Sequence, residues 1–217
     1  LFSKYLNEGE TIPEPPAAIP TQKGECEIVA EVADLCTSER KLAPKASPGT
    51  LESLGVGYGL GVYRTYLPAC VGGTLKADVR DLGVVRLDGK EIGYLDRRYA
   101  KEGLEIAAAD HPRGLEIVVE PMGRNNFGEY INTTWKGIVG DVTVGGVKGT
   151  GWRMHGVRWD DMPKLKFRKA QEGEQIGKGP LSACRVYRFT AKMEGGKDTF
   201  LDLGDWKRGM VWLNGRA

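Results

Sequence analysis

The chain has 217 residues, with 28% charged and 41% hydrophobic residues, the balance of an ordinary globular protein. Its net charge of +2 comes from 31 basic and 29 acidic residues, which gives neither a basic field for nucleic acid nor a polybasic membrane patch. No apolar run approaches the roughly 20 residues that a membrane-spanning helix needs, so neither nucleic acid nor a membrane is an expected partner.

Leu1–Leu6 reads as the last turn or two of an amphipathic helix, and Pro13 to Pro20 reads as a linker, because repeated proline fixes φ and removes donors. A strand candidate follows at Glu25–Ala33, then a loop through Thr50. Cys26 and Cys36 flank that run, and ten residues of strand hold their ends about 33 Å apart. A disulfide needs Cα atoms within about 7 Å, so these two pair only if the run folds back. Cys26, Cys36, Cys70 and Cys184 are expected as buried free thiols, and with two histidines and no CxxC the chain offers no zinc site.

From Gly57 onward the signals are β. Leu60–Leu67, Leu115–Glu120 and Ile138–Val144 read as strands, and Val84–Leu87 and Lys90–Leu95 flank Asp88-Gly89 as a hairpin with a type I′ turn. No long period of 3.6 residues is visible, so the class is all-β. An internal repeat stands out. Val62-Tyr63-Arg64-Thr65 resembles Val186-Tyr187-Arg188-Phe189, and Val84–Lys90 resembles Met210–Arg216. The interval from Tyr63 to Asp88 is 25 residues, and from Tyr187 to Asn214 it is 27. Two related sandwiches are expected, the second of them incomplete.

Several motifs together are similar to the C-terminal half of family 35 β-galactosidases. They are Gly57-Tyr58-Gly59 with Tyr63-Arg64-Thr65 and Leu67-Pro68, Leu87–Lys90 with Leu95–Arg98, Val118–Gly128, Lys136–Gly140, and Asp198–Asp202 through Trp206 with Trp212–Gly215. The family usually has Asn where this chain has Pro121. The resemblance implies a (β/α)₈ barrel followed by two galactose-binding-like jelly-roll β-sandwiches, and retaining hydrolysis of terminal β-linked galactose without a cofactor. Both catalytic residues would be Glu on barrel strands, expected before Leu1, so no catalytic residue is assigned here. Residues 1–24 would be the end of a barrel helix and a linker, 25–54 a strand and connecting loop, and 55–146 the first sandwich. An inter-domain linker over 147–180 and a partial second sandwich over 181–217 would complete the chain.

The resemblance also implies that Phe127 packs against the galactose pocket of the barrel, as substrate-binding wall or as inter-domain packing. The partners it implies are a galactosyl carbohydrate, the barrel, and a further copy of the chain in a homo-oligomer. An exported parent would be periplasmic or extracellular. A stand-alone carbohydrate-binding module is the alternative function. Asp160-Asp161 beside Trp159 read as a solvated loop and a poor acid pair. Trp135, Trp152, Trp159, Trp206 and Trp212 read as core or interface residues before stacking platforms. His111, between Asp110 and Pro112, has no nucleophile to serve, and Asn132-Thr133-Thr134 is a glycosylation sequon in a eukaryotic secretory setting.

Overall fold

A computed structural model describes residues 3–17, 26–31, 42–99, 103–169, 186–191, 201–202 and 209–216. Its strands in chain order are β1 (Cys26–Glu31), β2 (Gly59–Leu67), β3 (Gly73–Arg80), β4 (Leu82–Leu87), β5 (Lys90–Asp96) and β6 (Leu104–Ile106). They continue with β7 (Arg113–Glu120), β8 (Gly137–Val144), β9 (Val147–Lys148), β10 (Arg153–Arg158) and β11 (Tyr187–Ala191). All pairings are antiparallel. One sheet has the order β10-β2-β7-β4-β5, a second β6-β3-β8-β9, and β1 pairs with β11 alone. The all-β expectation holds.

The two larger sheets face each other across one core. Tyr63, Leu67, Val85, Leu115, Ile117 and Val119 from the first sheet meet Leu75, Val79, Ile138, Val142 and Val144 from the second. Alternation along the strands puts these residues inward. At one end of β2 both faces are buried, because Leu60 and Val62 point outward together with Val118 and Val157. Trp159, Leu165, Phe167, Val186 and Trp212 cover that outer patch. Further along the same outer face the cover ends, and Arg64, Glu116 and Arg86 form one charged rung across β2, β7 and β4.

The Asp88-Gly89 hairpin is as expected, with φ of 52° and 78°. Asn214-Gly215 repeats the pair at 51° and 84°, and Leu213 and Arg216 exchange backbone hydrogen bonds of 2.8 and 3.0 Å. The repeat therefore extends to turn geometry. The rest of the expected second sandwich falls mostly outside the described residues.

Within the expected helix remnant the described residues form a short 3₁₀ turn at Ser3–Tyr5 with no buried residue. Two expectations are corrected. The sequence placed 147–180 as linker, yet β10 is an edge strand of the five-stranded sheet, pairing residue for residue with β2. Residues 45–54 also belong to the first sandwich. Lys45 and Trp152 exchange backbone hydrogen bonds, Thr50 bridges Gly137, and Leu51 is fully buried.

Gly137 opens β8 at φ +94°, where a Cβ would strike the Tyr63 hydroxyl and the Leu51 backbone nitrogen. Gly137→Ala should therefore destabilise the sandwich by about 1–3 kcal/mol through overpacking against a backbone that cannot retreat. Urea denaturation checks this, and an unchanged midpoint would refute it.

Candidate functional site

The connection from β7 to β8, residues 121–136, is a long loop, and Phe127 stands on it with 90% of its surface exposed. Met122, Tyr130, Ile131 and Trp135 are exposed on the same loop. Exposed aromatic and aliphatic side chains grouped this way mark a surface that something else covers.

The loop is tied down at both ends. Asp81, between β3 and β4, is only 6% exposed, and Lys136 is 3% exposed. The Lys136 ammonium donates to Asp81 Oδ2 at 2.6 Å, the Met122 backbone N–H donates to the same oxygen at 2.7 Å, and Arg97 Nη1 donates to Oδ1 at 3.1 Å. Burial alone would push the Asp81 carboxyl up, but the Lys136, Met122 and Arg97 donors outweigh it and hold the group below its ordinary range. A second clamp is built on Glu52, in the 3₁₀ turn Glu52–Leu54. Arg124 Nη1 pairs with its carboxylate and donates from Nε to the Gly57 carbonyl, while the Lys136 N–H also reaches Glu52. Burial raises the Glu52 carboxyl, and these donors overcome that to leave it lowered. The Leu51 N–H completes the base by donating to the Lys136 carbonyl at 2.7 Å.

The model of the family "Beta-galactosidase, first all-beta domain" matches residues 48–158. The chain belongs to that family. The match starts just before Leu51 and Glu52 and ends with β10, so both clamps and the whole Phe127 loop lie inside this beta-galactosidase all-beta domain. A beta-galactosidase of Xanthomonas manihotis is 30% identical over 172 residues, 78% of this chain and 27% of the relative. Human beta-galactosidase-1-like protein 3 is 31% identical over 164 residues, 75% of this chain and 24% of the relative. A beta-galactosidase of Felis catus is 30% identical over 177 residues, 73% and 26% respectively. The chain spans about a quarter of the length of these curated relatives.

Of the remaining candidates, Trp135 and Asn132 share the Phe127 loop and the others lie elsewhere. Asp160 and Asp161 sit in a 3₁₀ turn, not a strand. Arg158 and Lys164 bond to Asp161 at 3.1 and 2.9 Å and lower its carboxyl to about 2. A group so firmly ionised cannot hold a proton for acid catalysis near neutrality. Trp152 is in the core; Trp159 and Trp212 pack on each other with ring centres 5.7 Å apart; Trp135 is exposed on the loop. Trp206, Cys36 and Cys184 lie outside the described residues. His111 and Asp110 form an exposed pair, and Asn132 is exposed on the same loop as Phe127. Cys70 corrects the buried-thiol expectation, because the turn after Pro68 carries it outward and it is exposed. Among the described residues no group of three or more His, Cys, Asp or Glu is placed to hold a metal ion, and no helix is long and apolar enough to cross a membrane.

Sequence reading missed Asp81, Glu52 and Lys136 as a unit. Lys136 stood at the head of a quoted motif, but a lysine next to glycine gives no local sign of burial. Its partner lies 55 residues away.

Proposed function

We propose that this chain is a supporting β-sandwich portion of a retaining β-galactosidase, and that Phe127 forms part of the wall of the galactose pocket on the catalytic barrel. The observation that carries the reading is the exposed Phe127 on a loop pinned at both ends, since an aromatic held out in this way gains nothing from folding and, grouped with other exposed apolar side chains, marks an interaction surface. An aromatic face suits the apolar C–H face of a sugar, and a rigid base lets it act without losing conformational entropy on each binding event. The chemistry in this reading belongs to two barrel carboxylates about 5 Å apart, and the sandwich contributes shape and exclusion of water.

Phe127→Ala, made in the enzyme that contains this domain, should weaken galactoside binding by about 1–3 kcal/mol, the scale of burying one aromatic side chain. The change should appear in KM and kcat/KM, with kcat nearly kept and the melting temperature unchanged. Unaltered kinetic constants would reduce Phe127 to a packing residue. The exposed rings of Tyr130 and Trp135 on the same loop as Phe127 favour one second reading, a carbohydrate-binding module that works alone. Retention of galactosyl glycans by the isolated chain on a glycan array, lost on Trp135→Ala, would select that reading over the first.

A further inference from the structure

We infer that Asp81 is a positioning residue for the Phe127 loop, one carboxylate oxygen holding the loop's entry at Met122 and its last residue, Lys136, against the sandwich. Asp81 Oδ2 accepts from the Met122 N–H at the loop's entry and from the Lys136 ammonium at its exit. Arg97, from the turn after β5, takes the other oxygen and fixes the plane of the carboxylate. Asp81 itself sits between β3 and β4, one strand of each sheet, so the staple refers the loop to both layers of the sandwich. Between those ends Arg124 gives a further anchor, on Glu52 and the Gly57 carbonyl, and the loop's own backbone bonds are short-range, from Ile131 to Gly128, Thr133 to Tyr130 and Trp135 to Thr133. Such local turns do not set where the loop points. Its direction comes from the anchors.

The functional consequence rests on the pocket-wall reading of Phe127; the staple itself does not. Hydrogen exchange by NMR on this 217-residue chain tests the staple. The reporters are the Ile131, Thr133 and Trp135 amides, which do not touch Asp81. In Lys136→Met they should exchange roughly tenfold faster, while the control amides of the two turns elsewhere, Asp88 bonded to the Gly114 carbonyl and Leu165 to the Met162 carbonyl, keep their rates. Lys136→Arg, which keeps a cation on the carboxylate, should restore most of the protection. Unchanged reporters in Lys136→Met, or equal acceleration of the two control turns, would overturn the inference.

If Lys136→Met does not fold, an acid titration of the unmodified chain supplies the test, because the charge that holds Lys136 is lost as pH falls through the folded Asp81 value, which lies below the ordinary 3.8. Loop amides should then lose protection before the control turns, and simultaneous loss would overturn the staple. In the enzyme containing the domain, Lys136→Arg should keep galactoside KM and Lys136→Met should raise it with little change in kcat. A loosened loop with normal KM in Phe127→Ala would leave the staple standing and sink the pocket wall alone.

Discussion

Asp81→Ala is expected to destabilise the sandwich by about 3–5 kcal/mol, the cost of leaving a buried charge without its partner. The asymmetry between partners makes this specific. Removing Asp81 strands the Lys136 ammonium, which is 3% exposed, and orphans the Met122 N–H. Removing Lys136 leaves Asp81 with Arg97 and Met122 still donating. Lys136→Met should therefore cost less, roughly 1.5–3 kcal/mol for a charge-assisted hydrogen bond. Asp81→Ala with Lys136→Met should cost less than the sum of the two, because the second change removes the stranded charge. Acid unfolding adds a check of sign. The Asp81 carboxyl titrates below its ordinary 3.8 in the folded chain, so its contribution is present above that pH and lost as pH falls through the folded value. Lys136, Arg97 and Arg80 are the cations around it. Urea titrations at several pH values should show the wild type losing its advantage over Asp81→Ala as the pH drops below about 4. A constant difference across pH, or a cost below that of Lys136→Met, would show that the carboxylate charge is not what holds this corner.

The strands legible in the sequence were those whose side chains make both the pattern and the core. β2, β7 and β8 carry Val, Ile and Leu at alternate positions, and the β4–β5 hairpin announces itself through Asp88-Gly89. β3 was missed because Lys76 and Asp78 interrupt it, leaving Leu75 and Val79 as its buried pair. β10 was missed because Arg153, His155, Gly156 and Arg158 look like loop, although Met154 and Val157 are buried on opposite faces. The pairing of β1 with β11 joins residues far apart in sequence, from Cys26 to Ala191. Pattern reading cannot supply such a partner, since periodicity describes a strand's faces and not its neighbours. The same limit hid the clamp. Phe127 was singled out as a candidate through motif resemblance, whereas Asp81, Glu52 and Lys136 acquire their meaning only when three separate connections meet.

Trp152→Ala is expected to cost about 3–5 kcal/mol, the range for deleting a large aromatic from a packed core. Trp152 is 0% exposed and packs among the residues shared by the two larger sheets. Its indole Nε1 donates to the Gly149 carbonyl at 3.0 Å, and its backbone exchanges two 2.8 Å bonds with Lys45. Other residues of that core, Tyr63, Ile138 and Val144 among them, are held by sheet hydrogen bonds, so collapse should be partial and the cavity should persist. The size of the effect distinguishes two views of residues 147–158. If they are linker, Trp152 is a detachable patch, and its loss costs under about 1 kcal/mol as for an ordinary surface change. If they close the first sandwich, the loss falls on the global transition, lowering the urea midpoint with the slope unchanged. Trp135→Ala supplies the contrast within the same chain. That ring is exposed on the Phe127 loop, and its removal should leave the midpoint within about 0.5 kcal/mol of wild type. Equal costs for the two tryptophans would mean that the core does not extend to β10.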